Sequence, residues 1–365
     1  METLANSLSV TVIVPVYNGG AAFKDCLSAL LRWKPSQWTL VVVDDGSTDG
    51  SGQVAKAHGA IVFKTSGRLG PGAARNIGAQ NVDSDYLCFI DADCEVNSRT
   101  FANIALSLAD SPDIDALFGS YDETPSASNF VAQYKNLMHR YVHQTGNEDA
   151  TTFWAGCGVV RRSVFMALGG FDTRKFRKPS IEDIHLGYRI KAIGGKIKLD
   201  KTVTVKHYKA WQFWGLMKVD IFDRGIPWTR LLLEDNTRFV NDLNLAVVQR
   251  LCVVAAYLGV VLAAACPFRP DLIPVTLLMV AFLVISNIGL YKFFARERGI
   301  IFAAKVLGMQ WLYYLYCGVA FAGGWILHTK DRLLKLDRRA PVRTAPKALP
   351  DLTIKKSTYV ARGRR

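Results

Sequence analysis

No C-x-x-C pair occurs among the seven cysteines, and their spacings form no framework. That excludes a small disulfide scaffold and the usual paired-thiol redox or zinc motifs. Cys88, Cys252 and Cys317 sit inside apolar runs, where buried reduced thiols are expected. Met1 to Ser9 is short and polar, not a signal peptide, so the first domain is expected in the cytosol. Acidic residues are also in short supply, 31 against 45 basic, a net charge of +14. Much of the excess follows Lys330, in a tail carrying Arg338, Arg339, Lys355, Lys356, Arg364 and Arg365. No nucleic-acid motif accompanies that charge. Beside an apolar region, such a tail points to anionic lipid.

Apolar residues make up 50% of the chain, somewhat high for a soluble protein. The excess is concentrated between Ala246 and Leu327, which suggests a membrane part. Before it, strand-like and helix-like patterns alternate four times. Val10 to Val16 is β-branched and apolar, and Tyr17-Asn18-Gly19-Gly20 breaks it. Thr39 to Val43 ends in Asp44-Asp45-Gly46-Ser47-Thr48-Asp49, where Ser47 or Thr48 could cap the next helix. Ala60 to Phe63 is a third strand, followed by a glycine-rich loop from Gly67 into a helix reaching about Asn81. Tyr86 to Ile90 runs into Asp91-Ala92-Asp93. This is the pattern of a doubly wound α/β domain, with polar residues gathered at the carboxyl ends of the strands. Two carboxylates at spacing two can hold a hard divalent cation. A loop with two acidic residues is the plain alternative.

Four motifs stand in register: Val-Pro-Val-Tyr-Asn, Val-Asp-Asp-Gly-Ser-Thr-Asp, Gly-Ala-Ala-Arg-Asn and Phe-Ile-Asp-Ala-Asp. Together they resemble glycosyltransferase family 2, over roughly residues 10 to 210. The resemblance implies a Rossmann-like GT-A fold that uses nucleotide-diphosphate sugars. It also implies residue roles. Pro15, Tyr17 and Asp44 would hold the nucleoside, with Asp44 reading the base edge. Arg68 and Arg75 would approach the base or diphosphate, although a helix-surface salt bridge serves equally for Arg75. Asp91 would face the ribose or a metal-bound water, and Asp93 would ligate manganese or magnesium.

Glu182 and Asp183 open a helix, and acidic residues there suit the helix dipole. The family carries a Glu-Asp pair at this place. Asp183 is therefore expected as the general base that deprotonates an acceptor hydroxyl, with Glu182 as the alternative or as an orienting partner. The strand from Lys198 ends in His207, which related enzymes use as a metal ligand. The residues from Phe153 to Gly158 fit a wall for a sugar, or a tight packing turn. The segment from Ser120 to Asp149, with Tyr134, His139, Tyr141 and His143, is expected as helix and loop on the acceptor side, its histidines solvated or packed.

Trp211 to Trp228 mixes aromatic and charged residues and is expected to lie as an amphipathic helix on the membrane. Polysaccharide-making relatives have Gln-x-x-Arg-Trp in a comparable place. Here Pro227 stands where the Arg would be, although Arg224 could face the diphosphate. Leu245 to Cys266 and Leu272 to Phe294 are each long enough to span the bilayer. Ile300 to Leu327 either spans or forms a hairpin around Gly308 or Gly318. The expected organisation is a catalytic domain over 1–210, an interfacial segment over 211–240, transmembrane helices over 245–327 and a disordered basic tail over 330–365. The function implied is an inverting, metal-dependent transfer to a lipid or lipid-linked glycan by a multi-pass protein with its catalytic domain cytoplasmic. A polysaccharide synthase and a non-catalytic scaffold are the alternatives.

Overall fold

The computed structural model describes residues 8–235 and 246–334. The expectations about the N-terminus and about the tail from residue 335 onward lie outside the described residues. The first half is the expected alternation. Strand β1 (Val10–Val16) and helix α1 (Gly20–Trp33) lead into β2 (Thr39–Asp44), α2 (Ser51–Ala57), β3 (Ile61–Lys64), α3 (Pro71–Gln80) and β4 (Tyr86–Ile90). These four strands are parallel, in the order β3-β2-β1-β4. Every residue of β1 and of β4 is buried, as expected for strands covered on both faces. Alternation along β1 sends Val12 and Val14 to one core, with Phe23, Leu27 and Phe101, and Ile13 to the other, with Phe89, Phe118 and Phe165.

The second half departs from a purely parallel sheet. Strands β5 (Cys94–Val96), β6 (Ala116–Tyr121), β7 (Cys157–Arg161) and β8 (Ile197–His207) complete the order β3-β2-β1-β4-β7-β6-β8-β5. Strand β7 runs antiparallel to both β4 and β6, and β5 runs antiparallel to β8. Between these strands lie α4 (Thr100–Asp110), α5 (Phe130–Thr145), α6 (Arg162–Ala167) and α7 (Glu182–Ala192). Neither Ser47 nor Thr48 caps α2. That helix starts after Gly50 at φ 83°, and the Ser47 hydroxyl instead accepts from the Asn18 amide at 3.0 Å.

After β8 come α8 (Phe213–Lys218), a π-helical turn over Val219–Gly225, and α9 (Ile226–Glu234). The segment is not a simple surface helix. Trp211 is buried in a cluster with Leu290, Phe294 and Val306, while Trp214 and Phe222 are exposed. The Trp228 indole donates to the Tyr188 hydroxyl at 3.0 Å.

The C-terminal helices are α10 (Val247–Ala265), α11 (Ile273–Ser286), α12 (Ile288–Arg298) and α13 (Ile300–Leu333). Helices α10 and α13 are long and apolar enough to cross a membrane, with hydropathies of 2.0 and 1.3. The stretch Pro270–Ser286 plus Ile288–Arg298 bends by 58° and makes a third crossing only if the bent pair is one span. The break therefore falls in the second apolar stretch, and the third, where a hairpin was considered, is one continuous helix. Asn287 sits at the bend. Its amide donates to the Leu283 carbonyl at 2.8 Å and accepts from the Tyr314 hydroxyl at 2.7 Å. Gly318 in α13 leaves room for the Tyr257 ring of α10; a Cβ there would lie 2.3 Å from it.

Candidate active site

A cavity of about 1060 Å³ opens at the carboxyl ends of β1, β2 and β4 and continues between α10 and α13. Pro15, Tyr17, Arg68, Arg75, Asp91, Asp93, Glu182, Asp183, His207 and Arg224 all line it. The fold thus brings together every site residue expected from sequence except Asp44. Asp44 is buried, accepts from the Ser47 amide at 2.8 Å, and occupies the space that Gly52 leaves open. Its neighbour Asp45 does line the cavity, and it accepts from the amides of Leu69 and Gly70 at 2.9 and 2.7 Å. Asp45 therefore pins the glycine-rich loop to the end of β2. This loop carries Arg68, whose guanidinium lies 4.2 Å over the Tyr17 ring.

Arg75 is the electrostatic hub. It leaves α3 almost fully buried, pairs with Asp91 and lies 3.5 Å from Glu182. Burial by itself lowers a guanidinium pKa, but Asp91, Glu182 and Asp183 outweigh it and raise that of Arg75. Asp91 therefore has a basic partner, and its charge does not by itself demand a cation. No sequence spacing reveals this pair, because 16 residues and a strand separate its members.

Asp93 points elsewhere. Its carboxylate stands 3.5 Å from Nε2 of His207, and β5 and β8 bring the two together by pairing Cys94 with His207. On the other side of the ring, Nδ1 of His207 lies 2.5 Å from Oδ1 of Asn136. An amide oxygen accepts, so Nδ1 donates to it, which fixes the ring with Nε2 toward Asp93. Tyr121 stacks flat on the imidazole at 4.3 Å. Burial raises the Asp93 pKa, but the hydrogen bond and charge of His207, the Lys209 charge and its own backbone amide together more than reverse this, leaving the carboxyl below its ordinary value. An oriented imidazole facing a carboxylate suits a divalent cation such as manganese. Among the described residues no group of three or more His, Cys, Asp or Glu converges, so such a cation would keep open positions for a diphosphate or water.

Asp183 begins α7 beside the turn from Phe153 to Gly158. Its carboxylate accepts from the Ala155 amide at 3.2 Å and from its neighbour Ile184 at 2.8 Å. Three glycines let this turn meet α7. A Cβ at Gly158 would lie 2.3 Å from the Trp154 carbonyl, one at Gly156 2.4 Å from the Trp154 ring, and one at Gly187 2.4 Å from the Phe153 amide. The packing turn and the cavity wall are thus the same feature, since Trp154 lines the cavity. The helix dipole does not decide the state of Asp183. Burial and the adjacent Glu182 push its carboxyl up to about 7. A carboxyl with that pKa takes up and releases a proton near neutrality. Glu182 is spent differently, on Arg75 and on the Ser180 amide at 2.8 Å.

Several lining residues escaped sequence reasoning. Helix α5 delivers Asn136 and Lys135, and with them His139, one of the histidines expected as solvated or packed, which packs 4.4 Å from Tyr121. Lys135 donates to both oxygens of Asp220, at 2.9 and 2.7 Å. The helical spacing of polar residues in α5 was a usable signal for a cavity-facing stripe. Nothing local pointed to Asp220.

Residues 11–169 match the family model described as Glycosyl transferase family 2. The glycosyltransferase GlyA of Streptococcus pneumoniae is 38% identical over 88 residues, 23% of this chain and 13% of that protein. The O-antigen chain rhamnosyltransferase WbaN of Salmonella anatum is 26% identical over 235 residues, 60% of this chain and 74% of that one. The first four curated relatives are covered over 13%, 34%, 38% and 29% of their length, so the chain spans at most about two fifths of each. Among solved structures, the mannosyltransferase PcManGT from Pyrobaculum calidifontis, in complex with GDP-Man and Mn2+, superposes with a TM-score of 0.51. The identity is 19%, with 89% of this chain and 88% of that one covered. At that identity the likeness speaks to fold, and it is the GT-A fold with helices appended.

Proposed function

We propose that this chain, whose residues 11–169 match the family model described as Glycosyl transferase family 2, is a membrane-bound, inverting glycosyltransferase. It would move a sugar from a nucleotide-diphosphate donor to a hydroxyl of a lipid or lipid-linked glycan. The observation that carries this reading is one cavity that runs from the carboxylate-bearing strand ends to the two apolar helices. Tyr17, Arg68 and the loop pinned by Asp45 form the nucleoside end. Asp93 and His207 would hold the divalent cation, which supplies Lewis-acid neutralisation of the leaving diphosphate. Arg75 keeps Asp91 and Glu182 in place around the sugar. Asp183 accepts the acceptor's hydroxyl proton. The oxygen then forms a bond to the anomeric carbon from the face opposite the breaking carbon–phosphate-oxygen bond, and the nucleoside diphosphate leaves. Direct displacement of this kind inverts the anomeric centre. In this reading α10 and α13 cross the bilayer, and the catalytic domain meets its acceptor at the cytoplasmic surface. The test is transfer from a panel of labelled nucleotide sugars to membrane lipid extract, using the purified full chain with manganese. Absence of both transfer and donor hydrolysis across the panel overturns the proposal.

A further inference from the structure

The cavity is charged differently at its two ends. Where it meets the apolar helices, two cations gather around one carboxylate and a third stands nearby. Lys135 and Arg224 reach Asp220, the latter at 3.4 Å, and Tyr316 of α13 donates to Asp220 at 3.0 Å. Lys209 lies 4.2 Å over the Trp211 ring, with the Arg224 guanidinium 5.5 Å from the same ring. All of these but Lys209 and Trp211 belong to α5, α13 or the π-helical turn, and all line the cavity. The three cations face two carboxylates, Asp220 and, beside Lys209, Asp93, so one positive charge remains in excess. The π-helical turn is itself an irregularity of the kind often found at functional sites. Its last residue, Gly225, sits so close to α13 that a Cβ would lie 2.6 Å from Ala320. Beyond these cations the wall turns mainly apolar, with Val253 and Val254 beside Arg250 of α10, and Cys317, Gly318 and Phe321 from α13.

We propose that Lys135, Lys209 and Arg224 form a binding site for the phosphate of an amphiphilic acceptor whose chain lies between α10 and α13. This deepens the transferase reading and rests on it for the word acceptor. The order of the cavity matches the order of such a molecule. A hydroxyl-bearing head reaches Asp183, an anionic link meets the cations, and an apolar chain follows the helix walls. Asp220 holds Lys135 and Arg224 in place and balances one of their two charges, and Tyr316 ties the cluster to the helix along which the chain would lie. Arg224, which the family resemblance assigns to the donor diphosphate, thereby belongs to the acceptor side.

The test uses the full chain in phosphatidylcholine vesicles, read by tryptophan fluorescence, because Trp211 lies within the cluster. Dodecyl phosphate, dodecanol and inorganic phosphate are the probes, with UDP and GDP plus manganese titrated in parallel. Dodecyl phosphate is expected to bind saturably, and the other two probes at least about tenfold more weakly. Arg224→Gln and Lys209→Gln each are expected to weaken dodecyl phosphate by about tenfold, the cost of one charged hydrogen bond, with nucleoside-diphosphate affinity unchanged in Arg224→Gln. Both leave the Lys135–Asp220 pair intact, and an unchanged melting temperature verifies the fold. Equal binding of inorganic phosphate would make this a site for a soluble anion and overturn the proposal, as would equal binding of dodecanol. Weakened UDP or GDP binding in Arg224→Gln would give the cations to the donor, with the same consequence. If dodecyl phosphate binds as expected but neither nucleoside diphosphate does, the transferase reading fails and the phosphate site stands.

Discussion

Replacing Asp183 by Asn separates a catalytic base from a helix-starting residue, because the two roles move stability in opposite directions. The carboxyl titrates at about 7 in the folded chain against an ordinary 3.8. Between those values the folded state keeps a proton that the unfolded state has released. Stability of the wild type therefore falls as pH rises from about 4 to 7, and stays at the lower level above that. Three units at about 1.4 kcal/mol each set an upper bound of about 4 kcal/mol. The open face of the carboxylate toward the cavity allows solvation and reduces this to about 2 kcal/mol. Asn retains one oxygen for the amides of Ala155 and Ile184, so one hydrogen bond worth about 1 kcal/mol is lost. The net expectation at pH 8 is a gain of about 1 kcal/mol, or about 2–4 °C in melting temperature. Below pH 4 the protonation gain vanishes and only the lost hydrogen bond remains. Transfer should fall by about 10²–10⁴, and the wild-type rate should rise with pH to a plateau above about 7. Glu182→Gln, which breaks the ion pair with Arg75 and removes the charge that raises the Asp183 pKa, should instead move the rate plateau to lower pH. Melting curves and transfer rates on both variants across pH 4 to 9 check this. If Asp183→Asn transfers at the wild-type rate, or is destabilised at pH 8, the reasoning about this carboxyl is refuted.

Asn136→Ala leaves His207 free to turn, so manganese affinity should fall by about 10–100-fold; titration calorimetry with manganese and UDP or GDP reads this, and unchanged affinity would remove His207 from the metal. Gly158→Ala drives a Cβ to 2.3 Å from the Trp154 carbonyl and should cost about 1–3 kcal/mol, visible as a lower melting temperature. Cutting the chain after residue 235 removes Leu290, Phe294 and Val306, against which Tyr134, Leu137 and Trp211 pack. The remainder should aggregate in detergent-free buffer, and a monodisperse peak on size exclusion would contradict that.

The carboxyl ends of β1, β2 and β4 were legible because a buried parallel strand writes itself as a β-branched run, and its end as the first polar residues. For the same reason Tyr17, Asp91 and Asp93 could be placed on one edge. That Glu182 and Asp183 open a helix was legible, and the dipole accounts for acidic residues there. Pairing partners were not. Whether Asp91 faces a cation or Arg75 depends on the angle at which α3 packs on the sheet. Which of Asp44 and Asp45 enters the cavity depends on one peptide's orientation at a strand end. The polarity of β7 was invisible too, since buried strands of either direction show the same apolar run.

Composition and periodicity determined the architecture of this protein: an alternating α/β sheet, apolar helices after it, and acidic residues at the sheet's edge. Those are local properties, set by which side chains must leave water and with what period. The tertiary structure alone decided the chemistry of the acids. Burial beside Glu182 gives Asp183 a pKa of about 7, and the β5–β8 pairing turns His207 toward Asp93. It also decided that α5 meets the π-helical turn and α13, so that Lys135, Asp220 and Tyr316, 85 and 96 residues apart in their contacts, form one cluster. Desolvation and charge proximity depend on distances in space, and residues so far apart in the chain acquire those distances only when the helices pack.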